Sequence, residues 1–105
     1  MPKEQLYVRK DILERRLQEG YTEIATGRGE WVHDQKIVGV FIFYHPDGRI
    51  TSYEHPKFRA ENRIHTGIPF EKTYPSSDDL QRHCNLFRIQ LNEKSSLAEL
   101  VKRLP

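Results

Sequence analysis

Apolar residues gather in one dense run, Ile37-Val38-Gly39-Val40-Phe41-Ile42-Phe43-Tyr44, and recur elsewhere at spacings that define the remaining elements. The run is β-branched and aromatic and ends at turn residues, which predicts a well-buried strand. His45-Pro46-Asp47-Gly48 then supplies a type I turn with a bulge at Gly48, because Pro46 presets φ and glycine accepts the left-handed position. In that register His45 pairs with Arg49. The ladder continues Tyr44 with Ile50, Phe43 with Thr51, Ile42 with Ser52, Phe41 with Tyr53, and Val40 with Glu54. Alternation puts Val38, Val40, Ile42, Tyr44 and Ile50 on one face. The other carries Phe41, Phe43, His45, Arg49, Thr51, Tyr53 and His55.

Around this hairpin the pattern is coarser. Ile12, Leu13 and Leu17 share one stripe of a helix over residues 10–19, with Asp11 and Arg15 paired on its outer side and Gly20 at its end. Residues 5–8 predict a short extended segment, 21–26 a strand and 31–33 a second short strand. Residues 55–77 show no sustained period and are broken by Pro56, Gly67, Pro69 and Pro75. They read as a long irregular basic and aromatic loop, with one turn of helix at 59–64. Ser77 is placed to cap a short helix with Asp78 and Asp79 in its first turn. Residues 86–91 alternate as a half-buried strand. Ser96-Leu97-Ala98-Glu99 is a capping box opening a helix over 96–104, whose stripe is Leu97, Leu100, Val101 and Leu104. The expected fold class is α+β: an antiparallel sheet of three to five strands around the hairpin at about 36–54. Helices 10–19 and 96–104 are expected on its Val38/Val40/Ile42/Tyr44 face, in one domain over 1–105.

Composition narrows this picture. With 105 residues, 36% hydrophobic and 30% charged, the core must be small, and five Phe, five Tyr and one Trp make it aromatic. The formal net charge of +2 permits contact with nucleic acid without requiring it. Residues 49–72 carry five Lys or Arg against three Glu, so the basic character concentrates there. The single cysteine, Cys84, excludes an intramolecular disulfide and makes a reducing, cytoplasmic setting the expectation. No apolar run approaches the roughly 18 residues of a membrane helix, and the first residues lack the apolar core of a signal peptide.

Candidate chemistry is sparse. His45 and His55 lie six ladder positions apart, roughly 20 Å, too far to act on one bond. Cys84 has His83 beside it but no second cysteine and no paired-histidine spacing, so no metal and no cofactor is assigned. As a nucleophile Cys84 lacks a visible base, and a buried structural thiol is the expectation. Gly27-Arg28-Gly29 reads as a turn, with no helix behind it to complete a phosphate loop. The chain is expected to be a non-catalytic binding module. The leading reading is single-stranded nucleic acid, stacked on Phe41, Phe43 and Tyr53 and held by His45, Arg49, His55, Lys57, Arg59 and Arg63. The alternative is a protein-interaction or inhibitor module, such as a phage or mobile-element accessory protein, using the same face or a sheet edge. Third is a metal-independent ribonuclease built on Tyr53, His55, Arg59, Arg63 and His65. Gly39-Val40-Phe41-Ile42-Phe43-Tyr44 distantly resembles the aromatic third strand of the RNA recognition motif, and Leu6-Tyr7-Val8 its first-strand signature. The motif's lysine or arginine, second glycine and asparagine positions are not met, so the chain is assigned to no family.

Overall fold

The computed structural model describes residues 9–105, and the extended segment expected at 5–8 lies outside the described residues. In chain order the elements are α1 (Lys10–Gln18), β1 (Glu23–Arg28), β2 (Gln35–Tyr44), β3 (Ile50–Ala60), β4 (Arg63–Thr66), β5 (Phe70–Tyr74), α2 (Ser77–Leu86), β6 (Gln90–Leu91), β7 (Ser95–Ser96) and α3 (Leu97–Arg103). The fold is α+β, with three helices and one antiparallel sheet of seven strands ordered β4-β3-β2-β1-β6. β4 and β5 pair successive parts of β3, while β6 and β7 pair successive parts of β1, so the seven strands fill five positions.

The β2–β3 hairpin has the register its turn chemistry predicts, from Tyr44 opposite Ile50 to Val40 opposite Glu54. His45 N donates to Arg49 O and Gly48 N to His45 O, both at 2.9 Å. Gly48 sits at φ +98, with nothing within 4 Å of where a Cβ would stand. Gly48→Ala is therefore expected to cost about 1 kcal/mol through backbone strain alone, read as a lower urea midpoint with the hairpin's amide signals unshifted. Further along, the register shifts between Ile37 and Gly39. That bulge at Val38 brings Ile37, in place of the expected Val38, onto the face of Val40 and Ile42.

Both faces of the sheet are covered, and the helices sit opposite to expectation. α2 presents Leu80, His83 and Cys84 at helical spacing, and Leu80 and Cys84 join the core of Ile37, Val40, Ile42, Ile50 and Tyr74. α1 and α3 pack on the other face, where Ile12, Leu13 and Leu97 enclose Tyr21, Ile24, Phe41 and Phe43. Arg16 fastens α1 to β5, with guanidinium nitrogens 2.8 Å from Glu19 and 2.7 Å from Glu71.

The stretch 55–77 is more regular than its composition suggests. It holds the end of β3, then β4 and β5. In place of the helical turn at 59–64, Glu61 and Asn62 both take positive φ and close a tight hairpin between Ala60 and Arg63. Three smaller expectations also change. Residues 31–33 contribute only a Val32–Gln35 bridge, with His33 at φ 56 in the turn. Ser76, one residue before the expected Ser77, caps α2 by accepting from Asp79 N. Helix α2 runs through Leu86, leaving only Gln90 and Leu91 of the 86–91 strand. The α3 cap is as read, with Ser96 Oγ accepting from Glu99 N. No helix among the described residues is long and apolar enough to cross a membrane.

Candidate functional site

The residues proposed for nucleic-acid contact do not form one surface. Phe43 is 0% exposed and Phe41 8%, because α1 and α3 close over the face that was expected to be an open stacking platform. Neither ring is available to a base. His45 and Arg49 stay at the turn, each within reach of Asp47 at 2.9 Å. His45 also meets the Tyr21 ring edge-on at 5.3 Å, and the Arg49 guanidinium lies 5.9 Å from that ring's centre. Tyr53 and His55 pack edge to face at 5.1 Å, both half-buried, as is Lys57. Arg59 lies 4.3 Å over the Trp31 ring and donates to His33 O at 3.2 Å, fastening the β3–β4 hairpin to the loop before β2. Arg63 is exposed at the hairpin tip.

The ribonuclease constellation is divided in the same way. Cross-strand partners share a face, so Phe58 with His65 and Ala60 with Arg63 point one way, and Arg59 with Ile64 the other. Arg63 and His65 therefore stand on the opposite side of the sheet from His55 and Arg59.

A different set of residues converges under α2. Strand alternation puts Ser52 and Glu54 of β3 on that face, and the Ile50–Tyr74 pairing with β5 brings Tyr74 to it. The Glu54 side chain is 0% exposed. Its Oε2 accepts from Ser52 Oγ and from the Tyr74 hydroxyl, both at 2.6 Å. Its Oε1 accepts from His83 Nε2 of α2 at 2.8 Å. Burial pushes the carboxyl's pKa upward, yet the hydrogen bonds from His83, Ser52 and Tyr74, with the imidazole's charge, outweigh it and hold Glu54 below the usual carboxylate range. The same burial, with Glu54 alongside, raises the Tyr74 hydroxyl and the Cys84 thiol. Cys84 is thus a buried, unactivated thiol, as the sequence suggested.

Sequence reasoning passed over Glu54, Tyr74 and His83. The hairpin register already set Glu54 opposite Val40, on the core face, and a carboxylate at an inward position is the signal that was available. Of its three donors, Ser52 stands two residues away on β3, and only Tyr74 and His83 come from elsewhere in the chain.

Beside this cluster lies a cavity of about 520 Å³ between α2 and the start of the β3–β4 hairpin. Ile37, Pro56, Phe58, Ile68, Phe70 and Phe87 form its apolar lining, His83 contributes its ring, and Gln35, Lys36 and Thr66 add polar groups. Gly67 helps to shape it, since a Cβ there would come within 2.8 Å of Pro56 and 2.9 Å of the Phe58 ring. The volume and the mostly apolar lining are those of a ligand or side-chain pocket. Among the described residues, no group of three or more His, Cys, Asp or Glu is placed to hold a metal ion.

No family model, curated protein or solved structure matches this chain. The functional reading therefore rests on the geometry alone.

Proposed function

We propose that this protein is a small non-catalytic module that binds a partner protein through the pocket beside α2 and the adjoining β4–β5 edge. The observation that carries the reading is the apolar rim. Ile68 is 85% exposed, and Phe58 and Phe70, which line the pocket with it, are exposed too, all within one stretch of thirteen residues, 58–70. Exposed apolar side chains gathered around a concavity mark an interaction surface. Among the described residues, β4 and β5 pair only with β3, so their outer edge is open to an added strand. The nucleic-acid reading has less support, because Phe41 and Phe43 are covered and the cations at Arg49 and Arg59 are held by Asp47 and Trp31.

A photocrosslinking residue at position 68, compared with the same residue at the exposed Ala98 of α3, tests this in lysate. A specific adduct is expected from position 68 alone. Ile68→Asp elsewhere buries nothing and should leave the thermal midpoint unchanged, since such surface changes stay within about 0.5 kcal/mol. With the crosslinker moved to Phe70, Ile68→Asp is expected to reduce the adduct at least about tenfold, as an interface anchor would. Equal labelling from positions 68 and 98, or none from 68, would overturn the proposal. So would salt-sensitive binding of labelled single-stranded RNA that Ile68→Asp leaves intact, which would return the function to nucleic acid.

A further inference from the structure

The outer edge of β4 offers a partner one defined set of groups. Gly67 N donates to Pro56 O at 2.9 Å, which fixes the parity of the ladder between β3 and β4. Counting back along the regular register, Phe58 with His65 and Ala60 with Arg63 are the hydrogen-bonded pairs, and Lys57 with Thr66 and Arg59 with Ile64 are the open ones. The N–H and C=O of Ile64 and Thr66 therefore point away from β3. All four residues of β4 are exposed, and Ile64 keeps 59% of its surface. Ile64 lies on the face opposite Phe58, so the pocket alone gives it no partner. A strand laid along this edge meets both, its alternate side chains reaching Ile64 on one face and the Phe58 side of the pocket on the other.

Charge narrows what that strand carries. Lys36 and Lys57 stand directly opposite each other on β2 and β3, a like-charged pair that costs stability by itself. Thr66 is next in the row and too short to screen Lys57 from a side chain beyond it. Arg63 is exposed at the other end of β4, and among the described residues none of these three cations has an ion-pair partner. A second copy of this chain is a poor occupant, because residues 57–66 hold Lys57, Arg59 and Arg63 against Glu61, and two such edges repel. An acidic strand is the complement. We propose that the partner docks by adding an extended segment antiparallel to β4, as every strand pair in the sheet is, with an apolar side chain opposite Ile64 and acidic ones opposite Arg63 and Thr66. Read from its N-terminal end, the segment runs acidic, any residue, apolar, acidic. This rests on the partner-binding reading above and names the shape and charge of what the partner supplies.

Two capped peptides, Glu-Thr-Val-Glu-Thr-Val-Glu and its counterpart with lysine at each glutamate position, test the proposal on the full ¹⁵N-labelled chain by NMR titration at low salt. The acidic peptide is expected to shift the amides of Ile64 and Thr66 and to slow their exchange with solvent. It should bind at least about tenfold more tightly than the lysine peptide, since two attracted pairs replace two repelled ones. Ile64→Pro removes an N–H that β3 does not use, so β4 stays paired while the edge loses a donor. It is expected to weaken the acidic peptide about tenfold with the Phe58 and His65 amides unshifted. Exchange at Thr66 is read on the unmutated chain, so the test stands even where the variant folds poorly. Equal affinity for the two peptides would overturn the proposal, as would binding that leaves the Ile64 and Thr66 amides unprotected. So would dimerisation of the free chain that Ile64→Pro abolishes, which would give the edge to a second copy, or oligouridylate shifting these amides where the acidic peptide does not. Failure of both peptides to bind would also overturn it, leaving the crosslinking at position 68 to decide the partner-binding reading by itself.

Discussion

Glu54→Ala is expected to lower the stability of the folded chain by about 3–5 kcal/mol, seen as a large drop in the urea midpoint. The size follows from what the substitution strands. Ser52 Oγ–H, the Tyr74 hydroxyl and His83 Nε2–H all point at the carboxylate from buried positions, and none gains water when it is removed. The three donors also come from β3, β5 and α2, so one loss loosens three elements. Glu54→Gln keeps a carbonyl acceptor and is expected to cost less. The acid dependence separates the charge from the packing. Glu54 is held below the ordinary glutamate value of 4.5, so in the intervening range the unfolded chain binds the extra proton. Its stabilisation is then complete above that value and lost as pH falls through the folded-state value. Below pH 4.5 the wild-type curve should fall more steeply than that of Glu54→Gln. The carboxylates of Asp47 and Asp79, also lowered by their partners and outside the cluster, contribute equally to both curves and cancel in the difference. Parallel curves, or a Glu54→Ala midpoint within 1 kcal/mol of wild type (about the scale of a single neutral hydrogen bond), would mean that the cluster is not holding the sheet to α2.

The hairpin register was legible because local chemistry sets it. Pro46, Asp47 and Gly48 specify the turn, and once the turn is known the pairing of Phe43 with Thr51 or Val40 with Glu54 follows by counting. The ends of α1 and α3 were legible for a similar reason, with Gly20 at φ +100 after one and Ser96 capping the other. What covers each face was not local. The two faces of β2 are almost equally apolar, so nothing in the strand says whether α1 and α3 or α2 will lie on Phe41 and Phe43. That choice depends on contacts between residues as distant as Leu13 and Leu97. β4 and β5 were missed because their pairing with β3 is interrupted at Gly67, Ile68 and Pro69, and the tip turn uses Glu61, a residue with little preference for positive φ. The Glu54 cluster escaped for both reasons. Its inward placement was implied by the register, but Tyr74 and His83 stand 20 and 29 residues away, on elements whose docking the local pattern does not fix.

Phe43→Ala distinguishes the observed packing from the stacking platform that the sequence suggested. The side chain is 0% exposed, meets the Tyr21 ring edge-on at 6.3 Å and has the Arg16 guanidinium 5.8 Å from its centre. Its truncation is expected to cost about 3–5 kcal/mol, from lost burial and from a cavity that α1 and α3 cannot fully close. Because Arg16 is anchored to Glu19 and Glu71, the surrounding layer has little freedom to collapse into the space. A ring that received bases would behave in the opposite way: its loss would leave the denaturation midpoint near wild type and weaken binding of single-stranded RNA, by about 1–3 kcal/mol per stacked base. Measuring both quantities on one variant decides between them. A Phe43→Ala chain with the wild-type midpoint and a lost RNA affinity would mean that α1 and α3 leave this face in solution, and would return Phe41 and Phe43 to the list of ligand contacts.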